Sequence, residues 1–169
     1  MLRRVGVSRV LAIDPIAARR EIALTVGAHQ ALAPGEALGE EVDLAIEVSG
    51  APSALDQALR CVAFGGTVVL ASWYGTKPVS VQLGGPFHRR RLRIVSSQVS
   101  TIDAALQPRW THARRMATAR DLLASLDLER LISHRFPIDR AAEAYALIDA
   151  HPDQVTQVLL DYSADTARK

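Results

Sequence analysis

Asp14 stands between Val10-Leu-Ala-Ile13 and Pro15, so a carboxylate sits where an apolar run ends and a helix-compatible run begins. Two chemistries suit an acid there. At the carboxyl end of a buried parallel strand it accepts hydrogen bonds from the ribose hydroxyls of a dinucleotide. At the start of a helix it satisfies free backbone N–H groups, the commoner use. Position alone leaves both open. Cys61 is the only cysteine, which excludes an internal disulfide and a cysteine-based zinc cluster, and it reads as small apolar packing. The histidines (His29, His88, His112, His134 and His151) are scattered, without the i, i+4 pairing beside an acid that marks a helical metal pair.

The elements that would hold Asp14 follow from periodicity. Residues 10–13 read as a strand buried on both faces, Pro15 fits a first helical position with Asp14 as cap, and Gly27 fits a left-handed stop. Residues 29–34 read as a weak edge strand closed by Pro34, and 42–48 as a strand ending in Ser49-Gly50. A helix over 51–62 places Leu55, Ala58, Leu59 and Val62 on one stripe, with Gly65 and Gly66 as its end. Residues 67–71 form a strand with two-sided burial, followed by a loop from Ser72 to Gly75. Residues 77–82 alternate like an edge strand, 84–91 suit a brief helix, and 92–99 a further strand. Thr111 can cap a helix carrying Ala113, Met116 and Ala117. After an extended segment at 131–138, Asp139 can cap a helix with Ala141, Ala144, Tyr145 and Ile148 in register, and 155–162 closes as a strand. Alternating strands and helices predict an α/β fold with a parallel sheet and right-handed crossovers. The expected organisation is one domain over 1–162 and a disordered polar tail over 163–169.

A chain of 169 residues with 49% hydrophobic content suits such a domain, since about 150 residues bury roughly 70% of the surface they expose when unfolded. The charge of +2, from 20 basic and 18 acidic side chains, excludes a nucleic-acid polycation. His88-Arg-Arg-Arg-Leu-Arg93 is the local exception; it reads as a solvated helix end leading into a strand, with an anion or nucleic-acid patch as the lesser alternative because no aromatic side chains interleave to stack bases. No apolar run approaches the ~20 residues of a membrane span, and no signal-peptide segment opens the chain, so the expected location is cytoplasmic, away from nucleic acid and membrane.

The ordered set Val10-Leu-Ala-Ile-Asp14, Val26-Gly-Ala28, Asp43-Leu-Ala-Ile-Glu-Val-Ser-Gly50, Phe64-Gly-Gly-Thr-Val-Val-Leu70, Ala141-Ala-Glu-Ala-Tyr145 and Gln157-Val-Leu-Leu160 resembles a known domain. It is the cofactor-binding domain of the medium-chain dehydrogenase/reductase superfamily, the zinc-dependent alcohol dehydrogenase-like enzymes, matched from about residue 5 to residue 162. The resemblance implies a Rossmann-like doubly wound parallel sheet. It also implies an NAD(P)-dependent oxidoreductase that moves hydride between an alcohol or polyol and nicotinamide. It places Asp14 on the adenosine ribose and Arg19 beside the adenine or ribose, with Val48, Ser49 and Gly50 along the adenosine half. Ala71, Ser72, Trp73, Ser96 and Ser97 would face the nicotinamide. An ionised Asp14 against the extra phosphate of NADP costs ~1 kcal/mol at ~4 Å even in water, which favours NAD, although Arg19 and Arg20 soften the preference.

Two family features are absent from this sequence. The Cys and His zinc ligands and proton relay belong to a separate N-terminal domain, so zinc is expected only there, and no catalytic or metal-ligating residue is assigned here. The glycine-rich turn G-x-G-x-x-G that holds the pyrophosphate is missing with the strand before it. That strand would lie between residues 10–14 and 42–48, and its removal opens a gap of about 9.6 Å lined by unpaired backbone groups. Three readings follow. Met1 is internal to a longer protein, with Leu2 and Val5 the end of a helix that began earlier, which is the reading favoured. Alternatively a partner chain supplies the strand, or the flanking strands close up and pair. The expected product is a cofactor-binding portion without activity of its own. The alternative is a non-catalytic binding or dimerisation subunit, a homodimer through the sheet edge at 79–82 and 92–99.

Overall fold

The computed structural model describes residues 2–39 and 41–163. Expectations resting on Met1 and on the tail from 164 onward lie outside the described residues. Every ladder is parallel, as expected where strands alternate with helices. β1 (Leu11–Ile13) pairs with β2 (Gln30–Leu32), β3 (Val42–Glu47) with β4 (Val62–Leu70), β4 with β5 (Arg93–Ser96), and β6 (Ile132–Pro137) with β7 (Gln157–Asp161). The ladders form three separate sheets, in orders β1-β2, β3-β4-β5 and β6-β7. The helices are α1 (Ala17–Thr25), α2 (Pro52–Cys61), α3 (His112–Ala124) and α4 (Ala141–Ala150). The chain divides into two compact units, residues 1–33 with 116–169, and residues 34–115.

In the first unit, Leu2–Val5 forms a short 3-10 turn. Asp14 does not cap α1 as expected. Its Oδ1 accepts the N–H of Ile16 at 2.8 Å, Ile16 is the residue preceding the helix, and α1 starts at Ala17, so Pro15 lies outside it. The short Asp side chain bonds the backbone two residues on and shapes the strand-to-helix turn instead. Gly27 does stop α1: its φ is +112°, Ala28 N–H reaches Ala23 O at 2.9 Å and Gly27 N–H reaches Leu24 O at 3.2 Å. Asp139 likewise lies in a 3-10 turn, Ile138–Arg140, and α4 has no side-chain cap. β1 is only partly buried, with Ile13 39% exposed, against the expectation of burial on both faces.

The core of the second unit is Leu55, Leu59, Val62, Val68 and Leu92, with Ala45, Leu70 and Ile94 packed against it. One face of β3-β4-β5 thereby closes on α2. On the opposite parity, Leu44, Ile46 and Val95 remain 48%, 42% and 47% exposed. α2 begins with Pro52 in its first turn, then ends at Cys61 without the help of Gly65 and Gly66. Those glycines lie inside β4, where the ladder jumps from Val42↔Val62 to Leu44↔Thr67. A Cβ on Gly66 would stand 2.8 Å from Asp43 O, so the irregular ladder depends on its bare backbone. Residues 77–82 are not a strand. Val79 and Val81 pack on the core, so their alternation reflects burial without a ladder partner.

Candidate functional site

β3 carries Ala45 and Glu47 on its covered side, and Glu47 is its last residue, only 5% exposed. A buried acid is costly unless donors surround it. Oε1 accepts the Ser49 N–H at 2.7 Å, the Ser49 hydroxyl at 2.5 Å and the Gly50 N–H at 3.0 Å. Oε2 accepts the hydroxyls of Ser72, in a short contact, and of Tyr74 at 2.7 Å. Burial pushes the carboxyl up, but the hydroxyls of Ser49, Ser72 and Tyr74 and the backbone N–H of Ser49 outweigh it and hold the group at about 2. Glu47 is therefore a carboxylate throughout the physiological range.

The segments it joins leave the carboxyl ends of adjacent parallel strands. The turn over residues 48–50 leaves β3, and the loop over 71–77 leaves β4. Ala71 N–H continues the ladder onto Glu47 O at 2.9 Å, and Lys77 Nζ donates to Gly50 O at 2.8 Å. Gly50 has φ +65°, and a Cβ there would lie 2.8 Å from Trp73 O, so the close approach of turn and loop needs glycine. Ser49 Oγ also accepts the Ala51 N–H at 3.1 Å ahead of α2. With those polar groups turned inward, the outward surfaces are Val48, 71% exposed, and Trp73, 86% exposed.

Eight of the expected site residues thus belong to the second unit: Val48, Ser49, Gly50, Ala71, Ser72 and Trp73 at the ends of β3 and β4, with Ser96 and Ser97 at the end of β5. Ser97 N–H donates to Leu70 O at 2.8 Å. The other two lie in the first unit. Asp14 Oδ2 has no hydrogen-bond partner among the described residues, while Arg20 Nη1 donates to Asp14 O at 2.7 Å and Pro15 O at 3.0 Å. Arg19 Nη2 donates to Pro152 O at 2.6 Å and Val155 O at 3.0 Å, tying α1 to the segment between α4 and β7. Arg19 also lines an open cleft of ≈ 280 Å³ with Ile148 and Thr156.

Sequence reasoning missed Glu47, Tyr74 and Lys77. The signal for Glu47 was present: an acid at a core-facing position of a strand, two residues before Ser and three before Gly, requires local donors. Tyr74 and Lys77 had no comparable pattern. Among the described residues no group of three or more His, Cys, Asp or Glu side chains is arranged to hold a metal ion. Cys61 is a half-buried free thiol whose pKa burial pushes up, consistent with packing and not reactivity. No helix among the described residues is long and apolar enough to cross a membrane.

A family profile described as zinc-binding dehydrogenase matches residues 1–119. D-guloside 3-dehydrogenase of Escherichia coli (strain K12) is 33% identical over 167 residues, covering 91% of this chain and 48% of the relative. A short chain alcohol dehydrogenase from E. coli CFT073, complexed with NADH, superposes with a TM-score of 0.77 at 24% identity, over 95% of this chain and 47% of that one. A Sinorhizobium meliloti 1021 protein described as a zinc-binding dehydrogenase, bound to NADP, superposes with a TM-score of 0.66 at 23% identity, over 84% and 42%. At these identities the likeness of the two structures is one of fold. The chain spans about half the length of the curated relatives it matches first.

Proposed function

The chain belongs to the zinc-binding dehydrogenase family, and we propose that it is the cofactor-binding portion of an NAD(P)-dependent alcohol or polyol dehydrogenase of the zinc type, without activity as this chain alone. The observation that carries the reading is the pair of exposed apolar side chains, Val48 and Trp73, at the carboxyl ends of adjacent parallel strands. Open α/β sheets receive their ligands outside those ends, and an exposed indole offers a flat ring a stacking surface.

In this reading the ligand is a nicotinamide dinucleotide, whose ring accepts or donates the hydride. Val48 and Trp73 supply the contact surface, Ser49, Gly50 and Ser72 hold its backbone, and Ala71, Ser96 and Ser97 flank the nicotinamide side. Asp14 offers Oδ2 to the ribose, and Arg19 lies beside the adenine or ribose. NAD is preferred over NADP because the Asp14 carboxylate repels a 2′-phosphate. The expected location is cytoplasmic.

Titrating NADH and NADPH against the purified chain tests the reading. Saturable quenching of tryptophan emission, tighter for NADH, is the expected result. No binding at millimolar cofactor would overturn it. The alternative, a non-catalytic subunit that pairs through its sheet edge with a second copy or with a chain supplying a further strand, is supported by the edges of the β3-β4-β5 sheet, where β3 and β5 each pair with β4 alone among the described residues. It predicts a dimer or hetero-complex in sedimentation without cofactor affinity.

A further inference from the structure

We propose that Glu47 is a positioning residue, a clasp that locks the turn over 48–50 to the loop over 71–77 and so fixes the backbone on which Val48 and Trp73 are presented. Its two oxygens divide the work. Oε1 takes three donors from the turn, the N–H and hydroxyl of Ser49 and the N–H of Gly50. Oε2 takes two from the loop, the hydroxyls of Ser72 and Tyr74. A second tie runs the other way, from Lys77 Nζ to Gly50 O at 2.8 Å.

The donor set argues against an acid that merely stabilises its strand. Both segments it binds flank the two outward side chains, and Ser49 and Ser72 point their hydroxyls at Glu47 instead of at a ligand. A charged acceptor at the centre makes each bond stronger than a neutral pair and leaves the loop few alternative arrangements. Trp73 follows Ser72 and precedes Tyr74, so the backbone carrying this 86% exposed indole is held on both sides by Glu47. The consequence for a ligand rests on the dinucleotide reading above; the clasp itself does not.

The test uses the full chain in a Trp110→Phe background, which leaves Trp73 as the single tryptophan of the two in the sequence. Glu47→Gln keeps the size of the side chain and removes one acceptor oxygen. The anisotropy of Trp73 emission should fall, with far-UV circular dichroism unchanged, and NADH affinity should fall roughly tenfold or more as charge-assisted bonds are lost. Tyr74→Phe and Ser72→Ala should act in the same direction, and they carry the test if Glu47→Gln does not fold. Leu59→Val, which loosens the core under the same sheet, should change neither readout. A fall in anisotropy in a protein that binds no NADH would support the clasp while removing the dinucleotide reading. Unchanged anisotropy in folded Glu47→Gln would overturn the clasp, and a fall in anisotropy with unchanged affinity would overturn its positioning role toward the ligand.

Discussion

Tyr74 donates its hydroxyl to Glu47 Oε2 at 2.7 Å across 27 residues of chain. The bond closes a loop that starts at the end of one strand, passes through α2 and β4, and returns to the same acid. A tyrosine hydroxyl in such a place serves as a permanent donor. Burial, then the hydrogen bond to Glu47 and the charge behind it, push its pKa up to about 12. Donor and acceptor therefore reinforce one another's protonation states, and the pair has consequences at both ends of the pH scale.

At the acid end, the Glu47 carboxyl is held at about 2 against an ordinary 4.5. A group whose folded value is depressed contributes stability that is present above its unfolded value and lost as pH falls through the folded one. Here that contribution is roughly 2–4 kcal/mol. In the Trp110→Phe background, the chain with Glu47 should exceed Glu47→Gln in urea unfolding followed by Trp73 emission near neutrality. The gap should shrink as pH falls through 4.5 toward about 2. A gap independent of pH would contradict this account of the acid.

At the alkaline end the sign is reversed. Tyr74 is raised from 10.0 to about 12, so its contribution is complete below 10.0 and disappears as pH climbs to about 12. Tyrosinate absorbance should show a late component that Tyr74→Phe removes. That ionisation should move to lower pH in Glu47→Gln, where the charge behind the hydroxyl is gone. No movement would mean that burial alone raises Tyr74.

Gly50→Ala should destabilise the second unit by about 1–3 kcal/mol, the usual cost of a side chain forced into a left-handed conformation. Two penalties coincide, φ +65° and a Cβ 2.8 Å from Trp73 O. Gly84→Ala is the control, since nothing lies within 4 Å of a Cβ there. Thermal denaturation should separate the two variants, and equal melting temperatures would remove the argument for a close-approach glycine.

Element type was legible where burial and backbone chemistry agree. The stripe Leu55, Ala58, Leu59 and Val62 marked α2 and its core, and Gly27 marked the end of α1. The errors have a common physical cause, since a residue that serves one turn type also serves another. Asp14 and Asp139 looked like caps because an acid before a helix bonds backbone N–H groups, but Asp14 stands two residues ahead of the cap position, Ile16. Gly65 and Gly66 looked like a helix stop, yet a bare backbone also permits a strand irregularity. Two-sided burial of residues 10–13 was inferred from an apolar run, which reports what a strand can bury and not what covers it; Ile13 remains 39% exposed. The candidate site residues came from resemblance, and the acid that accepts bonds from Ser49, Gly50 and Ser72 among them stands in the same motif, where nothing but its burial distinguishes it.

Asp14→Asn isolates charge from shape at the residue that first suggested a nucleotide. The turn needs only an acceptor at Oδ1 for the Ile16 N–H at 2.8 Å, and an asparagine carbonyl supplies one, so the fold of β1 and α1 should persist. What disappears is the negative charge at Oδ2, beside a backbone where Arg20 already donates to Asp14 O at 2.7 Å. Repulsion of a 2′-phosphate worth ~1 kcal/mol or more corresponds to about fivefold in affinity, rising with burial. NADPH binding should therefore strengthen by about that factor relative to wild type. NADH binding should weaken or hold, according to how much the ribose hydroxyls depend on a charged acceptor. If the ratio of NADPH to NADH affinity stays constant, Asp14 is a turn residue and the ribose is held elsewhere.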